Sequence, residues 1–346
     1  MKDPNPSDKS RLHCPMGTLK ADLSFNLVSY RNVYFTSNDP SKIIEFYNGF
    51  ENRDQLIQWM KERPNGVANI QEVEGNKDII VVIPTADFNG KYAKECREKI
   101  FKGLHIIFVE SGEILDPYFN YAHNCNVGIR KAMEYDPKWV VVSNDDMYII
   151  DEISILWKCV GEAPQFSNII LARKNGDYRS YVSLISRLNI FGKLLVNIFH
   201  ILPLKGINFG IDSLCLMKKF DIQLIGVAKK DRTSKNVLLK KRTEILNVNN
   251  FVIFRSGFVE DKGGILFDET FINGYEDLDL TINILKESNN IHFIDYRIGD
   301  YSGSTLGTNV NRSVREVANV AYFNSKYHEL IDILINSNSK VYWPLK

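Results

Sequence analysis

There is no C-x-x-C pair anywhere in this 346-residue sequence, and its five cysteines (Cys14, Cys96, Cys125, Cys159 and Cys215) are odd in number and widely scattered. That pattern argues against a disulfide framework and against a zinc cluster. It fits a reducing compartment, so a cytoplasmic location is expected. Charge of one sign is also lacking: 43 Lys and Arg stand against 42 Asp and Glu, for a net charge of +1. No global field favours nucleic acid or an acidic polymer as partner, and any electrostatics that matter must be local. Nor does any stretch reach the roughly 18 to 20 uncharged apolar residues that a bilayer-spanning helix needs. The polar start, with Pro4 and Pro6 ahead of any apolar run, does not read as a secretory signal peptide.

What is present suffices for a sizeable core: a main domain of roughly 200 to 250 residues plus extensions is expected at this length. Residues 1–77 read as a partly helical N-terminal extension. It has an alternating segment over 23–35, then Asp39-Pro40 as a helix cap with proline at the first helical position, and a helix or helix pair ending before Pro64-Asn65-Gly66. From Asp78 strands alternate with helices: a buried strand over 79–85, a helix over 91–102 and a second strand over 105–111. A helix follows over 116–135, with Tyr118, Ala122, Cys125, Ile129 and Ala132 on one face, and it must stop near Pro137. The next strand completes a β-α-β-α-β run, which implies a parallel sheet with right-handed crossovers.

That strand, Trp139-Val140-Val141-Val142, runs directly into Ser143-Asn144-Asp145-Asp146. The apolar run reads as a strand buried on both faces, and ionised carboxylates at its end need a partner. In an open α/β sheet ligands bind at the carboxyl ends of the strands. A hard cation such as Mg2+ or Mn2+ takes one or two carboxylates together with phosphate oxygens, so it suits this place; turn and helix-cap chemistry is the plainer alternative. After a strand over 251–257 come Gly263-Gly264, Phe267-Asp268-Glu269 and Gly274-Tyr275-Glu276-Asp277-Leu278-Asp279-Leu280. Leu278, Ile282 and Leu285 space as a helix face, which puts Glu276 and Asp277 at a helix N-terminus. Acids there complement the helix dipole, and the same field keeps a carboxylate ionised and ready as a base. A late strand is expected over 291–298 and helices over 311–335.

Taken together, these residues resemble the nucleotide-sugar glycosyltransferases of the GT-A fold, specifically the large inverting family 2. The resemblance covers roughly 78–305 and rests on Ile83-Pro84-Thr85, Val109-Glu110-Ser111-Gly112, Asn126-Val127-Gly128-Ile129, Ser143-Asn144-Asp145-Asp146 and the Glu276-Asp277 segment. It implies an α/β, Rossmann-like fold: a mostly parallel central sheet with flanking helices, an N-terminal extension, a helical insertion and C-terminal helices and tail over 306–346. It implies a catalytic domain over 78–305, within which 151–250 is variable and faces the acceptor. Position by position, Thr85, Asp87, Glu110 and Asn126 would contact the nucleotide, with Asp145 beside them. Asp146 and Asp145 would reach a divalent metal, Mn2+ or Mg2+, at a DXD-type motif. Asp277 would be the general base, with Glu276 as its neighbour or substitute. The family often has Asp at Glu110, Arg at Cys125, and a His where Asp300 stands ahead of Gly303-Ser304; Asp300 would then serve as a metal ligand or as a phosphate-side hydrogen-bond partner through water. The implied reaction is a single displacement at the anomeric carbon with inversion, from a nucleotide-sugar donor to a glycan, lipid-linked or protein acceptor.

Two readings compete with this one. A sugar nucleotidyltransferase on a related sheet would carry a glycine-rich phosphate loop, where Thr85-Ala86-Asp87-Phe88-Asn89-Gly90 stands instead. A non-catalytic nucleotide-sugar-binding module of the same fold would not need all of Asp145, Asp146, Glu276 and Asp277. Two further segments are unusual. Over 188–204 a narrow polar stripe of Asn189, Lys193, Asn197 and His200 borders a wide apolar face. This suits a helix at a membrane interface, giving peripheral contact, or a helix buried in the chain or against a second copy in a homo-oligomer. Over 229–242 seven basic residues stand against one acid, as in a solvated loop or a clamp for a diphosphate or an anionic membrane surface.

Overall fold

A computed structural model describes residues 37, 39–111, 118–174, 180–186, 211–222, 224–229, 244–247, 251–286, 290–301 and 310–329. The expectations for 23–35, 188–204 and 230–242 lie outside the described residues.

The central layer is an eight-stranded mixed sheet in the order β1-β3-β2-β4-β10-β6-β11-β5. Its strands are β1 (Asn69–Val73), β2 (Asn76–Thr85), β3 (Leu104–Glu110), β4 (Trp139–Ser143), β5 (Met147–Ile149), β6 (Ile169–Lys174), β10 (Phe251–Arg255) and β11 (Ile291–Asp300). The β3-β2-β4 ladders are parallel, as the alternating β-α-β-α-β pattern requires. Beyond β4 the expected mostly parallel arrangement gives way. β10 lies antiparallel between β4 and β6, β11 is parallel to β6, and the short edge strands β1 and β5 are antiparallel. Strand direction follows from how the chain returns after 144–250, which an apolar run does not record.

Period-two alternation packs both faces of the sheet. Ile79, Val81, Ile83, Ile106, Phe108 and Val141 join one core, whereas Ile80, Val82, Ile107, Val109, Val140 and Val142 join the other. The first face is covered by α3 (Lys91–Glu95), which continues as a π turn over Cys96–Ile100, and by α5 (Ile153–Gly161). The second is covered by α4 (Tyr121–Met133) and α7 (Ser256–Asp261). Each buried Val or Ile in these layers contributes roughly 1.5 to 3 kcal/mol from removal of its side chain from water. Helix α4 begins at Tyr121, later than the expected start near 116, because Asn120 caps it by accepting from the His123 N–H at 3.1 Å. Gly128 lets α4 approach the sheet: a Cβ there would stand 2.3 Å from Val82 Cγ1 and 2.9 Å from Val109 Cγ2.

A third core is helical. α1 (Pro40–Asn48) starts as expected, with Asp39 accepting from the Ser41 N–H at 2.9 Å and Pro40 in the first turn. With α2 (Arg53–Glu62) and α6 (Ile211–Lys219), it packs through Ile43, Phe46, Leu56, Trp59 and Leu216 onto α8 (Glu276–Lys286) and α9 (Val310–Lys326). Residues 151–250, expected as a variable acceptor-side region, hold a small antiparallel sheet of β7 (Ser180–Ser186), β8 (Leu224–Lys229) and β9 (Glu244–Asn247), with β7 central. No described helix is long and apolar enough to cross a membrane.

Candidate active site

Parallel pairing sets the carboxyl ends of β3, β2 and β4 side by side, so Glu110, Thr85 and the Asn144-Asp145-Asp146 turn share one edge of the sheet. Thr85 is buried, and its hydroxyl donates to Asp145 Oδ2 at 2.7 Å. Beyond it the chain turns: Asp87 Oδ1 accepts from the Asn89 N–H at 2.8 Å, and Glu110 Oε1 accepts from the Phe88 N–H at 2.9 Å. Arg97 closes the turn from α3's π extension, donating to the Phe88 carbonyl at 2.5 Å with its guanidinium over the Phe88 ring. Thr85, Asp87, Glu110 and Asp145 therefore form one neighbourhood.

Asp145 is half-buried there. Burial raises its carboxyl to about 6, with the Asp146 charge adding and the Thr85 hydroxyl opposing. Cys96 completes the wall, its thiol donating to the Asp145 carbonyl at 3.2 Å; burial first, then Asp145 and Asp146, push that thiol up so that it stays neutral. Asp300 is brought nearby by the β11–β5 ladder, where it faces Met147, and the Tyr301 N–H donates to the Asp146 carbonyl at 2.9 Å. Among the described residues no group of three or more His, Cys, Asp or Glu is placed to hold a metal. Asp145 turns toward Thr85 on β2, while Asp300 lies in β11 opposite Met147, the residue that follows Asp146. What fits a cation is the adjacent pair, Asp145 and Asp146. It offers only hard oxygen donors, in a place where burial disfavours the uncompensated charge.

The second acid motif arrives from α8. The chain before it is strained, with Asn273 and Tyr275 at φ of 51° and 73°. A tyrosine in the left-handed region costs on the order of 1 to 3 kcal/mol and persists only where surrounding contacts fix it. They do so here: Asn273 accepts from the Tyr121 N–H at 2.8 Å and donates to the Phe119 carbonyl at 3.1 Å, and Tyr275 packs edge-on against Phe323. Glu276 is buried, and its Oε2 has no hydrogen-bond partner among the described residues. Burial, then the Asp277 charge beside it, push its carboxyl up to about 8, while nearby backbone N–H groups and Arg312 oppose. Asp277 is half-buried, with Oδ1 accepting from the Leu278 N–H at 2.8 Å.

A glutamic acid that holds its proton more tightly folded than unfolded favours folding at low pH, and that advantage disappears as pH rises from about 4.5 toward 8. Glu276→Gln removes the ionisation, so the variant should be about 4 kcal/mol more stable than the parent at pH 8 and nearly equal to it at pH 4.5. Urea melts of both chains at the two pH values check this; a difference that does not change with pH would refute the assignment.

Tyr121, which the sequence pattern did not single out, ties the two motifs together. Its hydroxyl donates to Asn144 Oδ1 at 2.8 Å. Burial above all pushes that hydroxyl up, with Cys125, Glu276 and Asp277 adding, so it stays a neutral donor. Its trace in the sequence is the i, i+4 pairing with Cys125 on α4. Asn126, expected at the nucleotide, is placed elsewhere. It is buried, donates to the Phe267 carbonyl (2.8 Å) and Glu269 Oε1 (3.0 Å), and accepts from the N–H groups of Leu266 and Phe267 (both 3.1 Å). Those four bonds fill the hydrogen-bonding capacity of an amide, so its work is to hold the segment leading into α8. Asp268 likewise joins a structural cluster, accepting from Tyr322 (2.8 Å) and Lys326 (2.7 Å), with Lys326 also paired to buried Asp279 at 2.6 Å.

The molecule is thus a mixed α/β protein with two acid motifs gathered at the carboxyl edge of its sheet. No protein-family model matches the chain, and no curated protein matches it by sequence. Among solved structures it is similar to the mannosyltransferase PcManGT from Pyrobaculum calidifontis in complex with GDP-Man and Mn2+, at 12% identity, over 90% of this chain and 88% of that one, with a TM-score of 0.35. A superposition that loose carries no weight for function.

Proposed function

We propose that the chain is a metal-dependent inverting glycosyltransferase that moves a sugar from a nucleotide-sugar donor to an acceptor hydroxyl. The observation that carries this reading is the bridge at Tyr121, whose hydroxyl bonds Asn144 of one acid motif while Glu276 and Asp277 of the other lie near enough to act on it electrostatically. Two motifs far apart in sequence therefore flank one place at the strand ends. A displacement that sheds an anion on one side and takes in a hydroxyl on the other needs such a pair.

In this reading Thr85, Asp87 and Glu110 line the nucleoside side, and Asp145 with Asp146 would hold the divalent cation. Such a cation, when bound, offsets the charge that develops on the departing diphosphate. Asp277 takes the proton of the acceptor hydroxyl as that oxygen bonds the anomeric carbon from the opposite face, and the bond from that carbon to the diphosphate oxygen breaks. Glu276, kept protonated by its burial, leaves Asp277 without a second anion next to it. Tyr121 fixes Asn144, and through it the turn that carries Asp145 and Asp146.

Calorimetric titration of common nucleoside diphosphates tests the reading. At least one is expected to bind in the presence of Mn2+ and to bind about tenfold or more weakly without it, or with Asp146→Asn in its presence. Metal-dependent binding of none of them would sink the proposal.

A further inference from the structure

We infer that the acceptor is itself a carbohydrate, and that its ring is received on a platform of three tyrosines, Tyr92, Tyr148 and Tyr301; the inference rests on the transferase reading above. The three come from separate elements: the start of α3, β5, and the residue directly after β11. Tyr301 and Tyr148 have ring centroids 5.0 Å apart at 49°, and Tyr301 and Tyr92 lie 6.0 Å apart at 39°. Tyr92 and Tyr301 are 42% and 54% exposed, among the large apolar side chains that the fold leaves in water. The cluster is fastened to the acid edge: the Tyr301 N–H bonds the Asp146 carbonyl, and Tyr148 follows Asp146 by two positions.

Gly299 supplies a second, independent observation. It is buried within β11, opposite Tyr148, and a Cβ there would stand 2.1 Å from Tyr148 Cζ. Glycine inside a strand weakens it and marks a close approach. Here it makes room for the Tyr148 ring to lie against the sheet backbone instead of projecting from it.

Chemistry selects the occupant. The rings touch one another at a tilt, which leaves no parallel slot for a flat base but offers outer faces to the C–H face of a pyranose. Phenol hydroxyls, with Asp300 alongside, can take the hydrogen bonds of the sugar's rim. Acidic groups so close, with the Lys91 ammonium 5.9 Å from the Tyr92 ring centroid, disfavour an acyl chain, which needs uncharged surroundings. An aromatic patch beside a polar site is a common form of ligand surface.

The test uses the full chain and methyl glycosides of common hexoses and N-acetylhexosamines as probes, read by saturation-transfer NMR titration. At least one glycoside is expected to show transfer to its ring protons. Its affinity should fall about fivefold in Tyr92→Ala and in Tyr301→Ala, both at exposed positions. Gly299→Ala, which displaces Tyr148, should weaken it similarly, while circular dichroism and Mn2+-dependent nucleoside diphosphate binding stay as in the parent. No binding of any glycoside to the parent, or equal affinity in parent and variants, overturns the inference. Parallel loss of nucleoside diphosphate affinity also overturns it, by moving the platform to the donor. Tyrosine-dependent glycoside binding by a parent that binds no nucleoside diphosphate would instead uphold the platform and remove the transferase reading.

Discussion

Asp277→Asn is expected to lower turnover by about 10²- to 10⁴-fold while nucleoside diphosphate affinity stays near that of the parent. An amide cannot take the proton of an incoming hydroxyl, so the variant loses the base. The fold should tolerate the change, because the bond to the Leu278 N–H uses Oδ1, which asparagine retains. Its effect on Glu276 has a sign that can be checked. Burial is the first cause of the raised Glu276 carboxyl and the Asp277 charge is the second, so removing that charge lets Glu276 ionise at lower pH than in the parent. Residual turnover should then increase with pH as Glu276 substitutes for the missing base. Hydrolysis or transfer across a nucleotide-sugar panel measures both quantities. Parent-like turnover in the variant would remove Asp277 from its role, and no turnover of any donor by the parent would favour a binding module over an enzyme.

How far this site was legible in the sequence depends on the kind of information each element needs. The runs 79–83 and 139–142 announce buried strands because their cores on both faces demand apolar residues at every position. Asp39-Pro40 announces a helix start because the cap is a local contact. The acid motifs were visible for the same reason: each is a short string at an element's end. Strand direction is not local, so the run over 251–257 announces a strand but not its antiparallel place between β4 and β6. The start of α4 at Tyr121 was missed because Asp116-Pro117 has the local look of a cap, whereas Asn120 provides the one observed. Tyr121 itself looks like a core aromatic in a one-dimensional pattern. Its role emerges only when Asn144 and Glu276 are brought to the same place by the fold. The Asn126-Val127-Gly128 string was recognised but its use was not. Gly128 serves close packing on Val82 and Val109, and Asn126 serves a loop 140 or more residues away in sequence.

That last contact supports the second large effect, which is on stability. Asn126→Leu keeps the side chain's approximate volume and removes all of its hydrogen bonding. The N–H groups of Leu266 and Phe267 then lose their shared acceptor, and the Phe267 carbonyl loses its donor, in a region where Leu266 and Phe267 are both buried. Stranding buried backbone groups costs roughly 1 to 3 kcal/mol each, partly relieved by relaxation, so a loss of about 3 to 5 kcal/mol is expected. Asn126→Asp should cost less in one respect, since it still accepts from both N–H groups, but it places a second carboxylate against Glu269 and cannot donate to it. Glu269 retains Asn65 and His123 as partners on its other oxygen, at 2.8 and 2.9 Å, so the loop is not released entirely. The consequence for the site is directional. Residues 266–269 lead through Asn273 into the strained turn at Tyr275, so loosening them should free Glu276 and Asp277 before the strand-end motif is disturbed. In Asn126→Leu, hydrogen exchange should therefore accelerate at the start of α8 more than at β4. Uniform acceleration across both elements, or stability equal to the parent in a urea melt, would show that the buried amide does not organise this end of the site.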